Sequence, residues 1–426
     1  MSNFIMNKQE NTQFKCAFCD ELNINLIMDF GHVALAGGFL KRKDFANEKK
    51  FPMRVCFCEN CFAVQVVDII EPDILFQNYF YFSSSIETLR NHFSDYAKEV
   101  TKRFLKPSKA NVLEFGCNDG ILLRPLADQG IKTVIGVDPA DNVVSSINDS
   151  RIKTINNYFT ENVSTQIVAE YGHMDLIVAN NVYAHIPDIQ GTTRAINNAL
   201  SNDGVFIFEV HYLDKVINDM QYDMIYHEHI FYYSLLSAIE HFKCHDMVIF
   251  DVKLIPIHAG SLRFYVCQKD SYHARTISEA VKLLAEEERS KGYDNFEIFV
   301  DFAGKVSEAK NDLVNLLKKL KSEGKIVAGY GASGRANTMI QYCEITDDLV
   351  SYMIDDAPAK TGFFTPGSHL EIFPSSVLSG KDAPDYVLVF AWSFFDEILK
   401  RNQSYIEAGG KMIIPLPTVE IYPRPK

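Results

Sequence analysis

The stretch Val112-Leu113-Glu114-Phe115-Gly116-Cys117-Asn118-Asp119-Gly120 decides the fold of this 426-residue chain. An apolar run ends in an acid, two glycines enclose three small or polar residues, and the apolar run Ile121-Leu122-Leu123 follows. This order predicts a strand, a tight turn and the start of a helix. Glycine lets the backbone approach a ligand closely, and the amides that begin a helix can bind an anionic group. The stretch therefore predicts a nucleotide-binding loop.

A second acid supports this interpretation. The strand Thr133-Val134-Ile135-Gly136-Val137 ends at Asp138, and an acid at that position can bind two ribose hydroxyls. The loop differs from the dinucleotide fingerprint Gly-x-Gly-x-x-Gly, and it lacks the Gly-Lys-Ser/Thr of a phosphate-binding P-loop. Those two standard nucleotide fingerprints therefore do not explain it.

Helices and strands continue to alternate after Asp138. Clear apolar strands cover residues 174–179 and 204–210. Four strands with helices between them predict a doubly wound parallel α/β sheet. Ligands bind at the carboxyl ends of such strands, so Asn180, Asn181 and His185 are candidates by position.

Length, composition and charge restrict the class of protein. A chain of 426 residues is expected to form two or three domains. The net charge of −13 argues against non-specific nucleic-acid binding, which needs a basic surface. No apolar run reaches the roughly 18 residues of a membrane span, and the N-terminus lacks the layout of a signal peptide. We expect a cytoplasmic monomer or homodimer whose partners include neither nucleic acid nor membrane.

Five of the nine cysteines precede residue 62. Cys16-x-x-Cys19 and Cys58-x-x-Cys61 can each direct two thiolates at one ion, and four thiolates form a closed tetrahedral zinc site. The segment between the pairs is longer than in the simplest zinc ribbons, and buried or redox thiols are the alternative. Cys56 fits less well, because its spacing to Cys61 is too long. We expect a structural zinc ion with no open position for catalysis.

An aromatic segment, Tyr79-Phe80-Tyr81-Phe82, precedes the glycine loop. Ser84 and Glu87 then form a predicted capping box for a helix that ends before Pro107. Phe80 and Phe82 fit a core. Tyr79 and Tyr81 carry hydroxyls and lie where the helix leads into the glycine loop.

The densest polar and aromatic group is Tyr226-His227-Glu228-His229. It is not His-Glu-x-x-His, which places both imidazoles on one helical face, so a metal site is disfavoured. Proton transfer fits better, because histidine titrates near neutral pH and carboxylate and phenol neighbours can tune it. A purely structural role remains the alternative.

The amino-acid composition changes from about residue 276, where two predicted helices rich in Glu and Lys begin. The second has a core-facing stripe and stops at Gly324. A strand at 325–328 leads into Gly329-Tyr330-Gly331-Ala332-Ser333-Gly334-Arg335, and a strand at 350–354 ends at Asp355. Alone, this is a signature of an NAD site. The pattern predicts a second Rossmann-like domain and leaves a nicotinamide-dependent sugar oxidoreductase as an alternative.

Together the motifs resemble those of S-adenosylmethionine (SAM)-dependent sugar C-methyltransferases of deoxysugar pathways, which methylate a nucleotide-linked 4-keto-6-deoxysugar, typically at carbon 3. The resemblance covers nearly the whole chain. It is carried by Cys58-x-x-Cys61-x-x-Val64-Gln65, the 114–120 loop, Gly136-Val137-Asp138-Pro139-Ala140, His-Ile-Pro-Asp at 185–188, Tyr-His-Glu-His at 226–229, and segments 329–338 and 360–367. It implies a zinc-binding domain, a SAM-binding methyltransferase domain and a C-terminal Rossmann-like sugar-nucleotide domain, which we place at 1–78, 79–270 and 271–426.

The resemblance also implies site residues. His229 is expected to be the base, and Glu228 to orient a histidine or the sugar. Tyr226 and His185 are expected to donate to the enolate oxygen, and Tyr81, or else Tyr79, to lie beside the sulfonium or the sugar. The residues expected to hold SAM are Tyr79, Glu114, Gly116, Cys117, Asn118, Gly120, Asp138, Pro139, Asn180 and Asn181. Those expected near the sugar nucleotide are His227, His258, Tyr330, Ser333, Arg335, Asn337 and Lys360.

Two departures from the family pattern concern the substrate. Ala259 stands where the family often has glycine, and Arg335 where it often has lysine. The resemblance implies that the loop at 329–334 contacts the sugar nucleotide or supports the domain interface rather than binding NAD. Methyl transfer to oxygen or nitrogen, and a non-enzymatic zinc-ribbon adaptor, are the remaining alternatives.

Overall fold

The computed structural model describes residues 14–22, 24–76, 83–257 and 259–424. The strands of these residues are β1 (Asn25–Ala34), β2 (Lys50–Phe57), β3 (Val64–Val66), β4 (Asn111–Phe115), β5 (Thr133–Asp138), β6 (Ile152–Asn156), β7 (Met174–Asn180), β8 (Leu200–His211), β9 (Phe231–Tyr232), β10 (Met247–Ile255), β11 (Ser261–Gln268), β12 (Val327–Tyr330), β13 (Met353–Ile354), β14 (Ile372–Phe373), β15 (Tyr386–Val389), β16 (Lys411–Ile414) and β17 (Glu420–Tyr422). The α-helices are α1 (Pro72–Phe76), α2 (Glu87–Phe104), α3 (Leu123–Asp128), α4 (Asp141–Val144), α5 (Glu161–Tyr171), α6 (Ile189–Ala199), α7 (Leu213–Asn218), α8 (Leu235–Lys243), α9 (Glu279–Ser290), α10 (Glu297–Ser322), α11 (Gly334–Tyr342), α12 (Phe395–Arg401) and α13 (Gln403–Glu407).

The central sheet has seven strands in the order β10-β11-β8-β7-β4-β5-β6. Strands β8, β7, β4, β5 and β6 run parallel, and β11 and β10 extend the sheet as an antiparallel hairpin. Every residue of β4 is buried, as expected for a parallel strand covered on both faces. The predicted doubly wound α/β sheet is confirmed, and the glycine loop follows β4.

The N-terminal sheet takes one strand from the middle of the chain. Its order is β1-β2-β3-β9, and β9 pairs antiparallel with β3 through Val64 and Tyr232. Since β9 comes directly after the Tyr-His-Glu-His motif, this pairing ties the motif to the cysteine-bearing segment. The predicted domain boundaries at 78 and 270 stay predictions, because β9 joins a sheet that they assign to the first domain.

The C-terminal sheet is the predicted second Rossmann-like unit. Its order is β14-β13-β12-β15-β16-β17, parallel except for β17. Helix α10 ends before Gly324, which has φ +71°. This helix also packs against the N-terminal sheet, since the rings of Phe299 and Phe57 lie 4.6 Å apart. It therefore connects the sheets rather than spanning a gap between them. None of the helices in the described ranges has both the length and the apolarity needed to cross a membrane.

A buried ion pair joins the neighbouring strands β8 and β11 of the seven-stranded sheet. Glu209 of β8 and Arg263 of β11 are 0% and 1% exposed, and Arg263 Nε donates to Glu209 Oε1 at 2.5 Å. His92 of α2 contacts the same carboxylate at 3.0 Å through Nε2. The guanidinium also lies 3.5 Å from the ring centroid of Tyr96. This cluster fixes α2 to the sheet.

Arg263→Met is expected to lower the free energy of unfolding by about 3–5 kcal/mol, because it leaves a buried carboxylate with a single partner. Urea titration measures the change. The control is Lys98→Met, which removes an exposed ion pair with Asp95 and is expected to change stability by less than about 0.5 kcal/mol. Equal losses in the two variants would contradict the assignment of Arg263.

Candidate active site and metal centre

The glycine loop after β4 depends on backbone conformations that side chains disfavour. Gly116 has φ +64° and Gly120 has φ +77°, both in the left-handed region that favours glycine. A Cβ atom on Gly116 would also overlap the Val182 side chain. The loop after β4 and the loop after β7 therefore touch at Val182, which follows Asn181 and whose carbonyl accepts from the His185 amide at 2.8 Å.

Two buried acids lie at the carboxyl ends of β4 and β5. Asp138 accepts hydrogen bonds from the amides of Asn118, at 2.9 Å, and Ala140, at 3.0 Å. Glu114 Oε1 accepts one from Asn180 Nδ2 at 3.1 Å. Desolvation raises the pKa of both carboxyls. Within the described residues Glu114 Oε2 and Asn180 Oδ1 have no partner, so the site offers buried acceptors to a ligand that carries donors.

These acceptors fit SAM, whose ribose hydroxyls and ammonium group are donors. The other predicted SAM residues differ in which of their groups are buried or already hydrogen-bonded. The Cys117 side chain is only 1% exposed and packs against Gly136 of β5. Only the backbone of Cys117 is therefore placed to contact a ligand. Pro139 is held through its carbonyl by Asn156 Nδ2 at 3.0 Å. Asn181 has φ +54°, and its amide donates to the Glu209 carbonyl at 2.8 Å.

The described residues resume at Ser83, which contacts the glycine loop. Ser83 N donates to Asn118 Oδ1 at 3.0 Å, and the Ser84 hydroxyl donates to Asp119 Oδ2. The capping-box prediction is therefore wrong: Ile86 is the N-cap of α2 and gives no side-chain cap, because Ser84 binds the loop instead. The predicted site residues Tyr79, Tyr81 and His258 lie outside the described residues.

The histidines singled out from the sequence come together. The rings of His185 and His229 lie 5.0 Å apart, and the rings of Tyr226 and His229 lie 4.1 Å apart. His229 Nδ1–H donates to the Met224 carbonyl at 2.8 Å, since a carbonyl can only accept. In the neutral ring the basic lone pair is therefore on Nε2. Burial, followed by the charge of His229, lowers the pKa of His185 and keeps that ring neutral.

Segments from the first and last sheets close on this cluster. A Cβ atom on Gly37 would lie 3.2 Å from Glu228 Oε1, and one on Gly334 would lie 3.6 Å from Tyr226 Cζ. Burial raises the pKa of Glu228 to about 7, so this carboxyl can hold or release a proton near neutrality. Sequence reasoning missed Gly37, because an isolated Gly-Gly pair predicts only a turn.

His227 and Tyr330 are buried and hydrogen-bonded within the protein. His227 is 2% exposed and donates through Nε2–H to the Pro52 carbonyl of β2 at 2.9 Å. Tyr330 is 3% exposed, and its hydroxyl donates to Asp356 Oδ2 at 2.7 Å. Each side chain therefore has a hydrogen-bond partner within the protein, and the expectation that these two residues lie near the sugar nucleotide stays a prediction.

The remaining C-terminal candidates form hydrogen bonds within the protein, two of them across the interface with earlier segments and two within the C-terminal part. Arg335 forms a two-pronged ion pair with Asp223, and Asn337 Nδ2 donates to the Ala36 carbonyl at 2.5 Å. Ser333 caps α11 by accepting from Ala336 N at 3.2 Å. Lys360 donates to the Ala332 carbonyl at 2.6 Å and to Asp355 Oδ2 at 3.1 Å. The contacts of these residues favour a supporting role for the 329–334 loop.

The four predicted zinc ligands form one cluster. The sulfur atoms of Cys16, Cys19, Cys58 and Cys61 all lie within 4.8 Å of one another, with Cys16–Cys61 at 3.5 Å and Cys19–Cys58 at 3.6 Å. A tetrahedron with Zn–S bonds of about 2.3 Å has edges of about 3.8 Å. Four thiolates this close need a cation between them, so the donor set fits a structural zinc ion.

The segment that carries the first cysteine pair contacts helices α6 and α8. Gln190, near the start of α6, donates through Nε2 to the carbonyls of Ala17 at 3.0 Å and Phe18 at 2.5 Å. The Phe18 ring lies 4.5 Å from that of His241 in α8. Because α6 directly follows the His185 loop, these contacts connect the cysteine cluster to that loop.

Cys58→Ser is expected to abolish zinc binding, since three thiolates and a hydroxyl do not form the closed site. Cys56→Ser is the matched control: Cys56 is an equally buried neighbour outside the cluster, and burial raises the pKa of its thiol to about 12. Elemental analysis is expected to find zinc in the Cys56 variant and none in the Cys58 variant. Zinc retained by both, or lost by both, would contradict the ligand assignment.

Three family models match successive parts of the chain. A zinc binding domain family matches residues 16–76, a methyltransferase domain family matches 89–243, and a C-methyltransferase C-terminal domain family matches 256–417. Similar solved structures include a SAM-dependent methyltransferase from Clostridium acetobutylicum, 17% identical over 42% of this chain and 92% of its own, with TM-score 0.32. A magnesium protoporphyrin IX methyltransferase from Synechocystis with bound SAM is 11% identical over 42% and 79%, also with TM-score 0.32. At these scores they add nothing to the fold described above.

One relative aligns along almost the whole chain. C-methyltransferase NovU from Streptomyces niveus is 31% identical over 404 residues, which cover 95% of each protein. This excludes the adaptor hypothesis and selects methyl transfer to carbon. The chain belongs to the family of SAM-dependent C-methyltransferases that carry a zinc-binding N-terminal domain.

Proposed function

We propose that this enzyme transfers the methyl group of SAM to carbon 3 of a nucleotide-linked 4-keto-6-deoxysugar. One observation carries the proposal: the rings of His229, His185 and Tyr226 meet beside the loop that fits SAM. The sequence resemblance supports the sugar class and the position of methylation. A cytoplasmic location belongs to the same proposal, because a reducing compartment keeps the cysteine thiols available for zinc.

The predicted SAM residues would bind different groups of the cofactor. Asp138 would accept from the ribose hydroxyls, in addition to the two loop amides that it already holds. Glu114 and Asn180 would accept through the buried oxygens that lack partners among the described residues. When bound, SAM supplies a methyl group made electrophilic by its sulfonium. Tyr79 and Tyr81 remain predicted neighbours of that group.

His229 would remove the proton from carbon 3. A ketone at carbon 4 acidifies that hydrogen, and the Nδ1–H bond to Met224 leaves Nε2 as the basic nitrogen. After proton uptake the same carbonyl stabilises the charged ring, since its hydrogen bond becomes charge-assisted. General base catalysis of this kind typically contributes about 10²–10⁴-fold to the rate.

Tyr226 and His185 would stabilise the enolate oxygen. Donors fixed in a partly buried site stabilise developing negative charge without having to reorganise. A neutral His185 is suited to this, because its lowered pKa prevents a competing charge from forming beside His229. Glu228, with a pKa near 7, would accept from a sugar hydroxyl or orient a neighbouring histidine.

The nicotinamide alternative finds no support at the C-terminal glycine loop. Asp355, the expected ribose-binding acid, accepts from Ala332 N at 2.9 Å, Ala357 N at 2.8 Å and Lys360 Nζ at 3.1 Å. Asp138 also accepts from two amides, so the difference is Lys360, with which a cofactor ribose would have to compete at Asp355. We therefore assign this loop to the support of the domain interface.

With SAM and a panel of nucleotide-linked sugars, the enzyme is expected to methylate the 4-ketosugar and leave its 4-hydroxy counterpart unchanged, because only the ketone acidifies carbon 3. Mass spectrometry follows the gain of one methylene group, and NMR places it on carbon or oxygen. His229→Ala is expected to lower kcat by about 10²–10⁴-fold while the dissociation constant of SAM stays within about threefold.

The control variant is His32→Ala, which removes an exposed histidine of β1 and is expected to leave kcat unchanged. Methylation of the 4-hydroxy sugar would contradict the enolate mechanism. Full turnover by His229→Ala would exclude His229 as the base and leave the substrate assignment standing.

A further inference from the structure

We propose that Asp223 is a positioning residue for the reaction: it anchors the backbone carbonyl that fixes the tautomer and orientation of His229. This inference rests on the proposed role of His229 as the base. It assigns a function to a carboxylate that is 0% exposed, so Asp223 cannot touch substrate or cofactor and must act through its neighbours.

Asp223 receives three donors from the C-terminal part of the chain. Arg335 donates through Nε to Oδ2 and through Nη2 to Oδ1, each at 3.0 Å. Trp392 donates through Nε1–H to Oδ2 at 2.9 Å, and the Arg335 guanidinium lies 5.2 Å from the Trp392 ring. We call these three residues the Asp223 clasp. A two-pronged pair fixes orientation as well as distance.

The next residue along the chain is Met224, whose carbonyl accepts the His229 Nδ1–H bond at 2.8 Å. The same carbonyl accepts from the Tyr232 hydroxyl at 3.3 Å. One peptide unit therefore separates the clasped carboxylate from the atom that selects the tautomer of His229. A rotation of the next peptide unit, which contains the Met224 carbonyl, would release Nδ1 and move the basic lone pair away from its place on Nε2.

The residue before Asp223 is fixed from the same side. The Tyr222 hydroxyl lies 3.6 Å from Cys343 Sγ, and its ring lies 5.5 Å from that of Tyr342. Both partners belong to the end of α11 in the C-terminal part. The C-terminal sheet therefore controls the geometry of a catalytic loop that precedes it by more than one hundred residues in the sequence.

Arg335→Met is expected to reduce kcat by about 100-fold, since a displacement of about 1 Å at a reacting group can cost that much. The KM for the sugar nucleotide and the dissociation constant of SAM are expected to stay within about threefold. In ¹⁵N-histidine spectra of the resting enzyme, assigned through His229→Asn, the variant is expected to lose the single Nδ1–H tautomer of His229.

Two further variants make the test specific. Glu48→Gln removes the carboxylate from another contact between the N-terminal and C-terminal parts, the hydrogen bond between Glu48 Oε2 and His369 Nε2 at 2.8 Å, and is expected to leave kcat and the His229 tautomer unchanged. Trp392→Phe removes one donor of the clasp and keeps the ion pair. It is expected to show a smaller loss of kcat with the same constant KM, which keeps the test valid if Arg335→Met does not fold.

An unchanged kcat in Arg335→Met, or a reduced kcat with an unchanged His229 tautomer, would overturn the proposal. An equal loss in Glu48→Gln would do so too, because it would show general loosening of the interface. Failure of the proposed function has a different signature: turnover retained by His229→Asn, whatever the tautomer in the clasp variants.

Discussion

The loop between α7 and α8, which carries the proposed base His229, is held by all three sheets at once. On the N-terminal side, the His227 ring binds the Pro52 carbonyl and β9 pairs with β3. In the centre, Ile230 N donates to the Ala184 carbonyl at 2.9 Å, which joins the two histidine loops. On the C-terminal side lies the Asp223 clasp. Because the loop has little regular structure of its own, its geometry is the sum of these outside contacts.

This arrangement gives the parts of the molecule that lie far from SAM a physical role. Zinc closes the cysteine cluster, and Gln190 transmits that order to α6 and the His185 loop. The C-terminal glycine loop has the sequence of a dinucleotide site. In the structure, however, Lys360 binds the Ala332 carbonyl of this loop, and Arg335, which follows the loop, binds Asp223. Rigid support of this kind is what positioning of a base and its oxyanion donors requires.

The parts that were predictable from sequence depend on local patterns. The strands of the central sheet, the second Rossmann-like sheet and the four clustered cysteines each have a pattern of spacing or burial within a short window. The misses concern contacts between distant segments. Ser84 carried a capping signal, but Asp119 competes for its hydroxyl. His227 and Tyr330 belong to motifs that predict ligand binding, and only the fold shows that both side chains are buried. No local signal marks Asp223 or Gly37, since their partners lie in other sheets.

The central claim is that His229 abstracts a proton from the carbon that becomes methylated. The most direct test is hydrogen exchange at carbon 3 of the 4-ketosugar nucleotide in deuterated water, without the methyl donor, followed by NMR. The account predicts enzyme-dependent loss of the carbon 3 proton signal in the wild-type protein and no exchange above background in His229→Asn. Equal exchange in the two proteins would contradict it.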